Sequence, residues 1–214
     1  MFVFNDVKYK KILEIPNLTI EPEKIITFVG ASGSGKTTVL RLMNKIISPT
    51  EGSIFYDGED LKKIPSIELR RKVMMLSQNP VMFGESVKDS LIAGFTFQQK
   101  KIPDDQVLYD MLEMVRLKKN LEDPVGVLSG GEKQRLALGR ILLLDPEVYL
   151  FDEPSSALDE ETEEEIIKML ADQVKEKKKT MIMVTHSKGA AERYGDEIIE
   201  MANGKILNRR SKYE

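Results

Sequence analysis

The stretch Gly30-Ala31-Ser32-Gly33-Ser34-Gly35-Lys36-Thr37 constrains this chain more than any other feature. It satisfies G-x-x-x-x-G-K-[ST], follows the apolar run Ile25 to Val29 and precedes an amphipathic stretch, which is the strand, loop and helix setting the pattern requires. Gly30, Gly33 and Gly35 let the backbone curl so that successive N–H groups, with the hydroxyls of Ser32, Ser34 and Thr38 nearby, can surround an anion. The following helix adds its unpaired N-terminal donors. Lys36 is placed to neutralise β and γ phosphates, and the Thr37 hydroxyl is a hard oxygen suited to Mg²⁺. A glycine-rich turn matching by chance is the plainer alternative, and the flanks on both sides weigh against it.

Short β-branched runs alternate with longer amphipathic stretches after the loop, so the expected fold is α/β. Ile25 to Val29, Val73 to Ser77, Val148 to Phe151, Met181 to Thr185 and Ile198 to Met201 are apolar enough for a mostly parallel core sheet. The first 24 residues and Gly52 to Asp57 alternate instead and predict a smaller antiparallel sheet, with turns at Pro16-Asn17, Glu21-Pro22 and Asp57-Gly58. Between about residues 80 and 128 strand signals fade, and Val107, Leu108, Met111, Leu112 and Val115 recur at helical spacing, as an inserted helical subdomain would show. With 214 residues and 41% apolar content, the expectation is one domain over 1–214. After Lys205 to Asn208 only Arg209 to Glu214 remain, too little for a further domain. The absence of cysteine excludes disulfides, thiol catalysis and Cys-bound metals. Thirty-two Lys+Arg against 35 Asp+Glu build in no bulk attraction to nucleic acid, and none is expected as a partner. No apolar run approaches the roughly 20 residues that cross a bilayer, and the N-terminus lacks the basic and apolar regions of a signal peptide, so a cytoplasmic location is expected.

Further chemistry sits at the ends of the predicted strands. Val148 to Phe151 runs into Asp152 and Glu153; Asp152 can face Mg²⁺ while Glu153 addresses the water in line with the γ phosphate. Capping of the next segment is the alternative use of these acids. Gln78, just after Val73 to Ser77, could offer its amide oxygen to Mg²⁺ or to the water. The single histidine, His186, follows Met181 to Thr185 and could donate to the γ phosphate while holding Glu153. In open α/β sheets the ligand crevice lies outside the carboxyl ends of the strands, so these groups should converge there.

Leu128-Ser129-Gly130-Gly131-Glu132 precedes another apolar helix, and Ser129 with Glu132 has capping-box spacing. A structural cap explains this fully. Yet Ser129, Gly130 and Gly131 also make a helix N-terminus open to close approach by an anion. One phosphate cannot occupy two distant receptors of one subunit, but two subunits facing head to tail can share it, each closing on the ATP of the other in a twofold dimer.

Kinases, GTPases and motor ATPases share the first loop; the whole set of motifs resembles the ATP-binding subunit of ABC transporters over nearly all of the chain. In that family's terms Walker A is Gly30 to Thr37, the Q-loop residue is Gln78, the signature is Leu128 to Glu132 and Walker B ends at Asp152. The catalytic glutamate is Glu153, the D-loop runs from Ser156 to Asp159, and the switch histidine is His186. The resemblance implies an ABC-type P-loop fold, ATP and Mg²⁺, contacts from Asp159, an adenine-stacking aromatic for which Tyr9 is the candidate, and a transmembrane permease partner on the cytoplasmic membrane face. Ser155 stands where Thr is common and Gly139 where Ala is common. Ser48 to Gly52 and Gln78 to Val87 are similar to small iron-export systems and also to phosphate-import subunits. Val81, Met82 and Phe83 would meet the permease, or else pack inward. A soluble assembly or remodelling ATPase is the alternative function; a P-loop kinase lacks reason for the second glycine motif. Lys36→Ala is expected to abolish ATP binding by removing charge compensation at the phosphates, and unchanged affinity in a nucleotide titration would exclude that role.

Overall fold

The computed structural model describes residues 1–212; Tyr213 and Glu214, the end of the expected 1–214 unit, lie outside the described residues. The elements in chain order are β1 (Phe2–Tyr9), β2 (Leu13–Ile20), β3 (Ile25–Val29), α1 (Lys36–Met43), β4 (Glu51–Tyr56), β5 (Glu59–Asp60), α2 (Ser66–Lys72), β6 (Val73–Leu76), α3 (Val87–Gln98), α4 (Asp105–Met114), a 3-10 turn (Val125–Val127), α5 (Gly130–Leu144), β7 (Val148–Asp152), α6 (Glu160–Glu176), β8 (Thr180–Val184), α7 (Lys188–Tyr194), β9 (Glu197–Ala202) and β10 (Lys205–Ser211). No helix among the described residues is long and apolar enough to cross a membrane.

Two sheets form. One has the order β10-β9-β3-β8-β7-β6 and the other β2-β1-β4-β5. In the first, β9-β3-β8-β7-β6 pair in parallel and β10 adds antiparallel at an edge. Every residue of β3, β7 and β8 is buried, as a sheet covered on both faces demands. Successive side chains point to opposite faces, so Tyr149, Phe151, Met181 and Met183 join the core formed with α3 to α6. Val148, Leu150, Ile182 and Val184 join the other core, shared with α1 and the antiparallel sheet through Phe2, Phe4 and Ile15.

One local expectation is corrected and two are made more specific. Pro16-Asn17 is no turn; both residues lie inside β2, and the chain reverses at residues 10–12, where Ile12 N–H donates to the Tyr9 carbonyl at 3.0 Å. The strand β2 is an edge, so the missing proline N–H costs no ladder bond. Asp6 stands across from Pro16 with φ 50, between the paired positions Asn5↔Asn17 and Val7↔Ile15. Val107 is 46% exposed although it lies in a helix. Leu108, Met111, Leu112 and Val115, spaced i, i+3, i+4 and i+7, are the face α4 buries, and Val107 falls just outside it. Third, of the three residues expected to meet a permease or else to pack inward, only Val81 is exposed, at 65%; Met82 packs on the helical core and Phe83 on Phe97.

Glu21-Pro22 and Asp57-Gly58 do turn the chain, and Asp57 and Gly58 both have positive φ (49 and 84), the tight hairpin geometry compatible with strand twist. The segment 80–128 carries α3, α4 and the 3-10 turn. The consequence for function is topological: β3, β8, β7 and β6 are neighbours running the same way, so the segments that follow them open on one edge. Ile182, fully buried in β8, tests the central packing: Ile182→Ala should destabilise the fold by about 2–5 kcal/mol in urea unfolding, and a loss well below about 1 kcal/mol would contradict a close-packed site there.

Candidate functional site

The loop after β3 has the backbone its glycines allow. Gly30 (φ 146) lies so close to β9 that a Cβ would come 2.1 Å from the Met201 carbonyl oxygen, while Gly33 (φ 77) faces open space. Gly35 (φ 103) is the N-cap of α1 and offers no side chain to its first N–H groups, leaving them directed at the loop. Lys36 is 5% exposed, and its Nζ donates to the carbonyls of Gly30 (2.8 Å) and Ala31 (2.9 Å). Burial pulls its pKa below the usual lysine range, against the opposing charges of Glu153 and Asp152. An ammonium so placed is ready to exchange loop carbonyls for phosphate oxygens.

At the end of β7 the two acids diverge. The Thr37 hydroxyl donates to Asp152 Oδ1 at 2.8 Å, joining the loop to β7. Burial pushes the Asp152 carboxyl above the ordinary range and the Glu153 charge adds to this, while the Thr37 hydrogen bond opposes it. Glu153 takes a left-handed conformation (φ 54), a departure worth about 1–3 kcal/mol. Its N–H is held by the Val184 carbonyl at 3.0 Å. Gln78 Nε2 donates to Glu153 Oε2 at 2.7 Å, and His186 Nε2 lies 2.7 Å from Oε1. The Gln78 amide nitrogen is thus committed to Glu153, and its oxygen is the atom left for a cation.

These groups enclose a cleft of about 300 Å³ whose lining includes Ser32 to Thr38, Gln78, Glu153 and His186. It fits a triphosphate: one buried ammonium, a helix N-terminus and curled backbone on one side, a carboxylate held by two donors on the other. It also fits Mg²⁺. No group of three or more His, Asp or Glu gathers as a cation cage among the described residues, but Thr37 and Asp152 offer adjacent hard oxygens, the sparse protein share expected where phosphates complete the octahedron.

Other predicted residues lie outside the cleft. Ser129 caps α5 in a complete capping box with Glu132, at 3.3 Å and 2.8 Å. A Cβ on Gly131 would come 2.9 Å from the Ala157 carbonyl, so α5 packs on the segment after β7. Asp159 caps α6, accepting from Thr162 N–H at 3.0 Å. Tyr9 is half-buried against the core of the small sheet and does not line the cleft; Ile12, 46% exposed, does. Sequence reasoning passed over Gln134: it is 1% exposed, donates to the Glu153 carbonyl at 2.7 Å and accepts from Ala157 N–H at 3.2 Å. Its signal was a polar residue four before Leu138 on the buried face of α5.

Comparison with known proteins bears on the same residues. A family model described as ABC transporter matches residues 13–156. ABC transporter I family member 17 of Arabidopsis thaliana is 36% identical, the match covering 92% of this chain and 75% of that protein. Protein STAR1 of Oryza sativa subsp. japonica is also 36% identical, with 95% and 59% covered. The Escherichia coli Probable iron export ATP-binding protein FetA is 34% identical, with 89% and 84% covered. Among solved structures, the dimeric post-hydrolysis state of the ATP-binding cassette MJ0796 bound to ADP and Pi superposes with a TM-score of 0.87 at 26% identity, covering 99% of this chain and 98% of that one. A bacterial Atm1-family ABC exporter with ATP bound gives 0.88 at 25%, with 99% and 39% covered. The chain thus spans most of some relatives and a smaller part of others.

The cap of α5 carries a pH signature. Ser129 N–H first, and the Lys119 ammonium 3.0 Å away next, hold the Glu132 carboxyl at about 2, below its ordinary 4.5. A depressed folded pKa stabilises fully above the ordinary value and is lost as pH falls through the folded one. Glu132→Gln should therefore lower the urea midpoint most above pH 4.5, with the gap to the parent closing toward pH 2; a gap independent of pH would refute the assignment.

Proposed function

The chain belongs to the ABC transporter family, and from that membership we propose that it is the ATP-binding and hydrolysing subunit of a membrane transporter, working as a head-to-tail pair with ATP between the copies. The observation that carries this reading is Glu153, held by Gln78 and His186 in the cleft that Lys36 also lines. Lys36 and the N–H groups of the loop and α1 bind and orient the phosphates. Mg²⁺, when bound, supplies charge neutralisation at the β and γ phosphates, and Thr37 and Asp152 are the residues that would hold it. Glu153 takes the proton of the attacking water; with one donor on each oxygen, its carboxylate keeps lone pairs for that proton. His186 and Gln78 fix the direction from which it acts.

The pairing rests on the second anion receptor. Ser129, Gly130 and Gly131 do not line their own subunit's cleft, and a second copy related by a twofold axis would bring them over its phosphates. The dimeric MJ0796 cassette supports this arrangement. A transmembrane permease is the proposed partner, which this chain would engage from the cytoplasmic face of the membrane near Val81. Substrate and direction differ among relatives: one is named for iron export and another, MetN of Staphylococcus saprophyticus, for methionine import.

Glu153→Gln should keep ATP affinity, lose about 10²- to 10⁴-fold in hydrolysis and accumulate as an ATP-bound dimer in size-exclusion chromatography. Ordinary turnover by this variant would remove Glu153 from its role as base.

A further inference from the structure

The contact between Gln78 and Glu153 depends on a segment that is neither helix nor strand. Residues 77–86 are fastened at one end by β6 and at the other by Ser86, which forms a capping box with Asp89 on α3. Between them Met82 packs on the helical core and Phe83 makes a second anchor. Its N–H donates to Ser90 Oγ at 3.4 Å, and its ring lies between the Phe97 ring, edge-on at 5.4 Å, and the Arg140 guanidinium, 4.6 Å from the ring centroid. Ser90 is fully buried, and its hydroxyl is used completely: it accepts from Phe83 N–H and from Arg140 Nη1 (3.2 Å) and donates to Met82 sulfur (3.7 Å).

Arg140 is unusual in this arrangement because its partners are neutral. No carboxylate pairs with it among the described residues; a serine hydroxyl and an aromatic face are what it has, and burial pulls its pKa down to about 10. A partly desolvated cation without a counter-ion is a poor means of stabilising a fold, and an apolar side chain of similar volume would serve packing better. Its place on α5 is informative, because the same helix sends Gln134 to the Glu153 carbonyl at 2.7 Å. One rigid element therefore reaches both sides of Glu153: the backbone directly, and the carboxylate by way of Phe83 and Gln78.

We infer that Arg140 is a positioning residue for ATP hydrolysis, which clamps the Phe83 ring and so holds Gln78 against the Glu153 carboxylate. The inference rests on the reading of Glu153 as the base. Arg140 does not line the nucleotide cleft, so its removal should act on turnover and not on binding.

The test uses the full chain and measures steady-state ATP hydrolysis, affinity for a non-hydrolysable ATP analogue and the thermal midpoint. Arg140→Met should lower kcat about tenfold, leave analogue affinity within about twofold and leave the midpoint unchanged or raised. Phe83→Leu should lower kcat and spare analogue affinity in the same way, whatever its midpoint, and the double variant should be no worse in kcat than the poorer single one, because both remove the same clamp. Arg140→Lys, which keeps a cation over the ring, should recover part of the rate. Unchanged kcat in Arg140→Met, losses that multiply in the double variant, or a rate loss that merely follows a lowered midpoint in both Arg140→Met and Arg140→Lys would each overturn the inference. Glu153→Gln is assayed alongside: if it is inactive while Arg140→Met is normal, the clamp alone is wrong, whereas normal turnover in Glu153→Gln removes the reading beneath it.

Discussion

Four parallel strands, β3, β8, β7 and β6, lie side by side, and everything the site does follows from the fact that parallel neighbours end on the same edge. Register makes this specific: Phe28 pairs with Val184, Val184 with Asp152, and Phe151 with Leu76, so the strands finish within a residue or two of one another. The segments leaving those ends carry the Lys36 loop, His186, Glu153 and Gln78. Any one of them offset by a few residues would lie a full strand pitch or more from the others. The hydrogen bond from Thr37 to Asp152 crosses β8 to close this edge, tying the phosphate loop to the strand that presents the acids.

The helix α5 plays the complementary part on the other side. Its N-terminus is closed by the Ser129 capping box, its buried Gln134 supports the Glu153 backbone, and its Arg140 contacts the Phe83 ring in the segment bearing Gln78. Helices are stiff over this length, so a load at the Ser129 end and the placement of Glu153 belong to one mechanical unit. The left-handed backbone of Glu153 fits the same picture, since a strained conformation persists where its surroundings over-determine it.

Much of this was legible from the chain as letters. The phosphate loop, the buried strands and the capping box at Ser129 are local statements, in which residue type and spacing carry the physics. The misreadings share a cause. Pro16 reads as a turn unless the strand is known to be an edge; whether Met82 and Phe83 face a partner or pack inward stays open until α3 and α5 are seen against them. Tyr9 and Ile12 are three positions apart, and only the reversal at residues 10–12 decides which of them faces the cleft.

The sequence by itself determined that this chain binds a phosphate-bearing ligand with one lysine and a cap of backbone donors, because a glycine-patterned loop between strand and helix makes that site from eight consecutive residues. It also determined which faces of strands and helices are buried, because period and hydrophobicity are written into order alone. Tertiary structure decided what those residues do to one another. That Gln78 and His186 take the two oxygens of Glu153, that Gln134 holds its carbonyl, and that Arg140 rests on Phe83 with no acid to pair with are relations between residues far apart in the chain. Folding creates such relations by strand order and helix packing, and no local pattern encodes a distance across a sheet.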